Sequence, residues 1–318
     1  MPLRILALVA ILACGLFFTA TPAQAQSCNY ALDDANFGSV TPIDNQEFYT
    51  QTTFHVTGCT GTANQTIKIC LSLGGGSGSP TLPTPRLLVS GSNELSYDIY
   101  SDPSRTARWG SLSAGGSGIP PALFIPLDAS GQQSGGEQTQ KLYFKILSGQ
   151  QAAAYGQYFS DFAPNHTGIN ADYTSGVCTS AGFIRADFNV SASIDETCDV
   201  LADAMDFGER GVLDANVEAT ANLSVDCTAD TDYTVSLGNG QNGTSSTTRK
   251  MANGSATIAY DLYSDTDRSI VFGSAVGETV GGIGTGSSQT IPVYGRVPPQ
   301  DTPPAGTYDD VVVVTVTY

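Results

Sequence analysis

The chain has 318 residues, including 35 Gly and 16 Pro, and carries 30 acidic against 13 basic side chains for a net charge of −17. A field of that sign repels nucleic acid and anionic membranes, so neither is an expected partner. The length and the abundance of Gly and Pro suit two medium-sized, turn-rich domains.

Residues 1–25 read as an export signal. Arg4 is their one charge, Ile5 to Ala20 is apolar apart from small residues, and Ala23-Gln24-Ala25 has the small-x-small form that a signal peptidase cleaves. Cys14 falls inside this segment, in a run that loosely resembles a lipoprotein box. No later stretch is long and apolar enough to be expected to span a membrane. The signal implies export, to the cell surface or beyond.

Past Ala25 the pattern is that of strands. Thr53–Val56, Ile67–Leu71, Leu142–Ile146, Ala219–Val225 and Tyr233–Leu237 alternate with period two, and clusters of Gly, Asn, Asp, Ser and Pro separate them. The fold class is therefore all-β, with two immunoglobulin-like β-sandwiches. The expected boundaries are 26–186 and 187–318, with the alternating run Phe188–Ile194 opening the second domain. Ala181–Arg185 is then either the last strand of the first domain or linker. Val311-Val312-Val313-Val314 near the C-terminus suggests a strand covered on both faces. It either pairs internally on both sides or is completed by a partner's strand.

The two domains are copies of one unit. Ser96-Tyr97-Asp98-Ile99-Tyr100-Ser101-Asp102 returns as Ala259-Tyr260-Asp261-Leu262-Tyr263-Ser264-Asp265. At the same offset Arg86 meets Arg249 and Trp109-Gly110 meets Phe272-Gly273, which makes Trp109 a core residue. Cys28 lies nine residues before Phe37-Gly38, as Cys198 lies nine before Phe207-Gly208. Six cysteines follow the signal, an even number that in an exported chain reads as disulfides. The repeat pairs Cys28 with Cys59 and Cys198 with Cys227, leaving Cys70 for Cys178.

The copies differ in two places. Gly110 to Phe144 spans 34 positions where Gly273 to Tyr294 spans 21, so the first copy is longer by 13. This region holds Ile119, Pro120, Pro121, Leu123, Phe124 and Ile125. Prolines at 120, 121 and 126 argue against a central strand, so the run either protrudes as an apolar contact loop or folds down as an edge strand. Leu82, Leu87 and Leu88 form a second apolar candidate. Exposed apolar loops mark contact surfaces, so an abiotic or host surface is the expected ligand of the first domain.

In the second unit, about Ala186 to Tyr318, the ordered set Cys198…Phe207-Gly208…Cys227, Ala259–Asp265, Ile291–Arg296 and Pro304–Asp310 with the Val/Thr strand after it resembles the spore coat protein U domain. That family includes pilins of archaic chaperone–usher pili in Gram-negative bacteria. The resemblance implies a sandwich lacking its last strand and completed by a donor strand from an adjacent pilin, after a periplasmic chaperone and an outer-membrane usher have handled it. The acceptor edge is then Val311, Val312, Val313, Val314, Val316 and Tyr318. Cleavage after Ala25 leaves only Gln26 and Ser27 before Cys28, too little for a donor arm. Two domains without such an arm resemble the tip adhesins of these pili. A free-standing secreted or coat protein and a carbohydrate-binding module are the alternatives.

No enzyme is expected. No GxSxG, HExxH or phosphate-binding Gly-rich loop occurs. With two His and no CxxC, zinc is not indicated. The carboxylates at Asp226, Asp230 and Asp232, and at Asp261, Asp265 and Asp267, are spaced as acidic turns. No cofactor is expected.

Overall fold

The computed structural model describes residues 26–79, 85–112, 120–163, 166–174, 178–179 and 184–318. The expected export signal, Leu82 and Ile119 lie outside the described residues. Eleven strands build the first sandwich: β1 Ser27–Leu32, β2 Ala35–Val40, β3 Phe48–Thr60, β4 Thr66–Leu73, β5 Arg86–Ser90, β6 Asn93–Tyr100, β7 Ala122–Pro126, β8 Gln138–Ile146, β9 Gly156–Asp161, β10 Thr167–Tyr173 and β11 Asn189–Ile194. Nine build the second: β12 Cys198–Ala202, β13 Val217–Cys227, β14 Asp232–Leu237, β15 Lys250–Asn253, β16 Ala256–Ala259, β17 Asp261–Tyr263, β18 Val280–Ile283, β19 Gln289–Val297 and β20 Val314–Thr317.

Alternation makes these strands. In β8, Leu142, Phe144 and Ile146 are buried while Lys141, Tyr143 and Lys145 point the other way. The first sandwich sets an eight-stranded sheet, β1-β3-β8-β6-β5-β9-β11-β2, against the three-stranded sheet β10-β4-β7. β1 and β2 are joined by Asp33 and Asp34 alone yet stand at opposite ends of the long sheet. The sheet therefore curls until its ends approach, and Thr50 Oγ donates across them to the Asn36 carbonyl at 2.9 Å. The second sandwich faces β12-β13-β19-β17 against β18-β14-β20. Disulfides join Cys28 to Cys59, Cys70 to Cys178 and Cys198 to Cys227.

The placement of Phe188–Ile194 departs from the sequence expectation. The run Phe188–Ile194 does not open the second domain. Asn189–Ile194 pairs antiparallel with β9 and parallel with β2, and Phe188, Val190, Ala192 and Ile194 are buried in the first core. The last strand of the first sandwich thus ends at Ile194, and Asp195–Thr197 connect it to β12. The first domain's last strand is β11; of the candidate Ala181–Arg185, residues 181–183 lie outside the described residues and Ile184 makes one bridge to Ile169 on β10.

The apolar run at 122–126 is no protruding loop. It is edge strand β7 against β4, with Ile125 fully buried, Leu123 half-buried and Phe124 53% exposed. Ile125 faces inward because strand alternation leaves it no other side. Pro120 is buried and Pro121 half-buried. Leu88 is fully buried on β5 and its neighbour Leu87 half-buried, so neither forms an apolar finger. The pairing also shifts the repeat alignment by one residue. Tyr100 faces Tyr143 as Tyr263 faces Tyr294, so Tyr143 rather than Phe144 matches Tyr294. β18 occupies the place of β7, so the extra length of the first copy flanks β7 instead of containing it.

A buried arginine ties the sheets together in each copy. Arg86 donates to the Leu73 and Gly74 carbonyls and to Asp98 Oδ1 at 2.7 Å, while Asp98 also pairs with Arg108 at 3.0 Å. Arg249 donates instead to the carbonyls of Leu237, Gly238, Ser246 and Phe272. Trp109, buried beside Arg86, donates its indole N–H to the Leu71 carbonyl at 2.8 Å. Since Asp98 is fully buried and Asp261 half-exposed, the two carboxylates matter unequally. Asp98→Ala strands a buried cation and lowers the stability of the first sandwich by about 3–5 kcal/mol. Asp261→Ala, which leaves all the carbonyl partners of Arg249 in place, costs below about 1 kcal/mol; urea melts of the two variants check the contrast.

His55 gives the first sandwich a pH dependence. Its ring nitrogens meet Asp33 at 3.0 Å and Glu137 at 2.8 Å, and these hydrogen bonds hold its pKa above the ordinary 6.5. The stabilisation is present in full below pH 6.5 and is lost as pH rises through the elevated native value. NMR titration of the ring, with His55→Gln as reference, is expected to show a midpoint above 6.5 and a loss of stability over that window.

Candidate functional site

The site is a seam in the second sandwich. Duplication supplies the comparison, because every element around it has a counterpart in the first copy. Residues 203–210 correspond to β2: Gly38 and Gly208 both take positive φ, at 73° and 71°, and each amide bonds the side chain two residues earlier, Asn36 or Asp206, at 2.7 Å. Residues 306–311 correspond to β9, since Val89 bridges Phe159 as Ala252 bridges Asp309. In the first copy β11 lies between these two elements and bonds to both. In the second, among the described residues, no strand lies between them. Neither 203–210 nor 306–313 is then a regular strand.

What remains is an apolar cleft of about 360 Å³. Met205 and Phe207 form one wall and Tyr308 to Val314 the other. Leu223, Leu237, Leu262 and Val293 form its floor. It continues into a wider, more polar groove between 205–213 and 302–308. The rim is acidic, with Asp203, Asp206, Glu209, Asp309 and Asp310 against Arg210. Asp310 Oδ2 accepts from the Tyr260 hydroxyl at 2.7 Å, and Oδ1 from the Gln241 amide at 2.8 Å. Burial first, then Asp310, pushes the Tyr260 hydroxyl well above its ordinary pKa, so it stays a proton donor that fixes this wall.

The C-terminal residues named from sequence lie on one side of this seam. Val312, Val314 and Val316 pack inward on the second core, whereas Val311, Val313 and Tyr318 are 55%, 65% and 56% exposed. The expectation of a strand covered on both faces gives way to alternation from Val311 to Thr317. Among the described residues β20 pairs with β14 alone. Sequence reasoning missed the opposite wall, Met205 and Phe207, although the repeated Phe-Gly motif marks it. On the first domain Phe124 is the exposed apolar side chain of β7, and Phe159, 47% exposed, stands across from Val89 on the long sheet. Among the described residues no cluster of His, Cys, Asp and Glu could hold a metal ion, and no helix is long and apolar enough to cross a membrane.

Two copies of one sandwich, one closed by its own chain and one open, define the class. The model of the Spore Coat Protein U domain matches residues 16–162 and again 184–315, and the chain belongs to that family. Protein U of Myxococcus xanthus is 31% identical over 155 residues, spanning 43% of this chain and 87% of that protein. Among solved structures, a chain of the CsuC–CsuE chaperone–tip adhesion subunit pre-assembly complex, from archaic chaperone–usher Csu pili of Acinetobacter baumannii, is 16% identical. It covers 92% of this chain and 100% of that one with a TM-score of 0.52, a likeness of fold. The CupB6 tip adhesin from Pseudomonas aeruginosa matches at 11% identity, 93% and 96% coverage and a TM-score of 0.40.

An open seam leaves backbone amides without a ladder. Phe162, whose amide donates to the Phe188 carbonyl, corresponds to Val312. Hydrogen exchange measured by mass spectrometry is expected to be faster at 306–313 and 203–210 than at their counterparts in β9 and β2.

Proposed function

We propose that this protein is a two-domain subunit of a cell-surface pilus of the archaic chaperone–usher kind, seated at the fibre tip. Its second sandwich accepts a strand from the adjacent pilin, after a periplasmic chaperone has protected the seam and the outer-membrane usher has received the complex. Its first sandwich, complete in itself, contacts the surface. The observation that carries this reading is the cleft between 203–210 and 306–313, which in the first copy is filled by a strand. An unpaired apolar edge is a hazard that proteins cover, and strand addition covers it. The tip position rests on the two-domain organisation, a closed sandwich followed by an open one. The fold shared with a chain of the Csu complex agrees with it. The role is structural and adhesive rather than catalytic.

The contact surface of the first domain is narrower than the apolar runs suggest. Of the described ones, Phe124 and half-buried Pro121, Leu123 and Leu87 reach the outside, while Pro120, Ile125 and Leu88 are buried. A free-standing coat protein is the second reading, favoured by the 31% identity to Protein U. The test uses the full chain expressed with a cognate archaic-type chaperone and usher. Val312→Arg is expected to abolish chaperone capture and assembly into pili while the melting of the first sandwich is unchanged. Phe124→Ser is expected to leave assembly intact and weaken attachment to plastic or host cells. Soluble, chaperone-independent accumulation of the unaltered chain supports the free-standing protein instead.

A further inference from the structure

Duplication also exposes a difference on the outer face of the long sheet. In both copies a turn of the form Ser-Asp-x-x-Arg folds back over this face. Its arginine, Arg105 or Arg268, takes the same positive φ of 54°. Each donates from Nε to the carbonyl of Phe144 or Gly295 and from Nη2 to that of Thr50 or Ala219. Each also lies over a tyrosine, Tyr143 at 5.8 Å or Tyr294 at 5.6 Å. The scaffold is therefore shared, and strand register says which residue stands for which. Tyr49 pairs with Lys145 on β3 and β8 as Glu218 pairs with Arg296 on β13 and β19.

Around this clamp the first copy has gained three groups. Where the second has Glu218, ion-paired to Arg268 at 3.0 Å and to Arg296 at 2.8 Å, the first has Tyr49. The Tyr49 ring is 54% exposed and lies 4.4 Å from the Arg105 guanidinium. Where the second has Thr220 and Pro292, the first has Gln51 and Lys141, both exposed. The neighbouring carboxylates are engaged. Glu47 accepts from the Tyr49 hydroxyl at 2.6 Å and from Lys145 at 2.9 Å, and Asp102 accepts from the amides of Thr106 and Ala107. Among the described residues no carboxylate is ion-paired to Arg105 or Lys141.

We propose that this face binds an acidic polysaccharide, a polymer of uronic acid. An open aromatic ring takes the apolar C–H face of a sugar, and the two cations take its carboxylate. Gln51, opposite Tyr143, offers an amide to the hydroxyls. The net charge of −17 does not oppose this. Salt screens charges beyond about 8 Å, so the groups at the face decide the contact. One sugar on so shallow a face binds weakly, and a polymer that engages many copies of the protein at once compensates through multivalency. The proposal stands on the first sandwich alone and is independent of the acceptor reading.

The probe is a soluble oligogalacturonate titrated calorimetrically into the full chain, with dextran as its uncharged counterpart. Oligogalacturonate is expected to bind, less tightly as salt is raised, and dextran is not. Tyr49→Glu, which installs the arrangement of the second copy, is expected to weaken binding by about tenfold while the melting temperature of the first sandwich is unchanged. Tyr49→Phe keeps the ring and is expected to keep the affinity. Lys141→Gln is expected to reduce both the affinity and its salt dependence. No binding by the unaltered chain, equal binding of dextran, or an affinity that Tyr49→Glu leaves unchanged overturns the proposal.

Discussion

Everything in this molecule turns on one seam. Two facing sheets of this topology leave a gap between the segment after the first strand and the penultimate strand, and the apolar floor beneath it needs a strand to exclude water. The first copy meets the constraint with β11, which bonds to β9 on one side and β2 on the other and drives Phe188, Val190, Ala192 and Ile194 into the core. The second copy has the same walls and floor but no strand between them among the described residues. The irregular backbone at 203–210 and 306–313 follows from that difference. A ladder needs a partner, and segments that are strands when paired lose regular geometry without one.

The rest of the second sandwich holds without the missing strand because its ties lie elsewhere. Cys198 and Cys227 face each other across β12 and β13. Arg249 clamps the end of β14 to the loops at Ser246 and Phe272 through carbonyls alone. Tyr260 and Asp310 fix the wall that follows Tyr308. These contacts preform the cleft, so an incoming strand does not have to order the floor, and preorganisation of that kind reduces the cost of binding. The acidic rim stands clear of the apolar floor, and disfavours acidic flanks on any strand that enters.

Much of this was legible in the sequence, and the failures are instructive. The all-β class follows from period-two alternation, and the duplication from shared words such as Tyr97-Asp98 and Tyr260-Asp261. Alternation cannot say which core a strand enters. Asn189–Ile194 reads as the opening of the domain that follows it in sequence, yet it packs on the domain that precedes it. Pairing partners are a tertiary fact. The prolines around Ala122–Pro126 were correctly taken to forbid a central strand. They are equally compatible with an edge strand, and β7 is one, with Pro126 outward and Ile125 inward. Four consecutive valines suggested burial on both faces, but the two faces of this segment differ: Val312 and Val314 are turned to the floor, Val311 and Val313 to solvent. The seam as a whole has no local signature. One wall is announced by the C-terminal Val/Thr run, but the opposite wall emerges from the comparison of the two copies, of which the second, among the described residues, lacks the strand that the first holds.

The position of β11 also settles how the two sandwiches are joined. It ends at Ile194, and β12 begins at Cys198, so the last strand of one domain passes into the first strand of the next through Asp195, Glu196 and Thr197. The short connection is anchored at both ends, with the Thr228 amide bonded to the Thr197 carbonyl at 2.9 Å and the Ser39 hydroxyl to Asp195. Tension between the domains therefore enters the first sandwich at Ile194 and runs along β11, where it is shared at once by the antiparallel rungs to β9 and the parallel rungs to β2. A strand loaded along its length must break those rungs together, whereas one peeled from an edge breaks them singly. The arrangement that closes the first core is thus also one that resists tension between the two sandwiches.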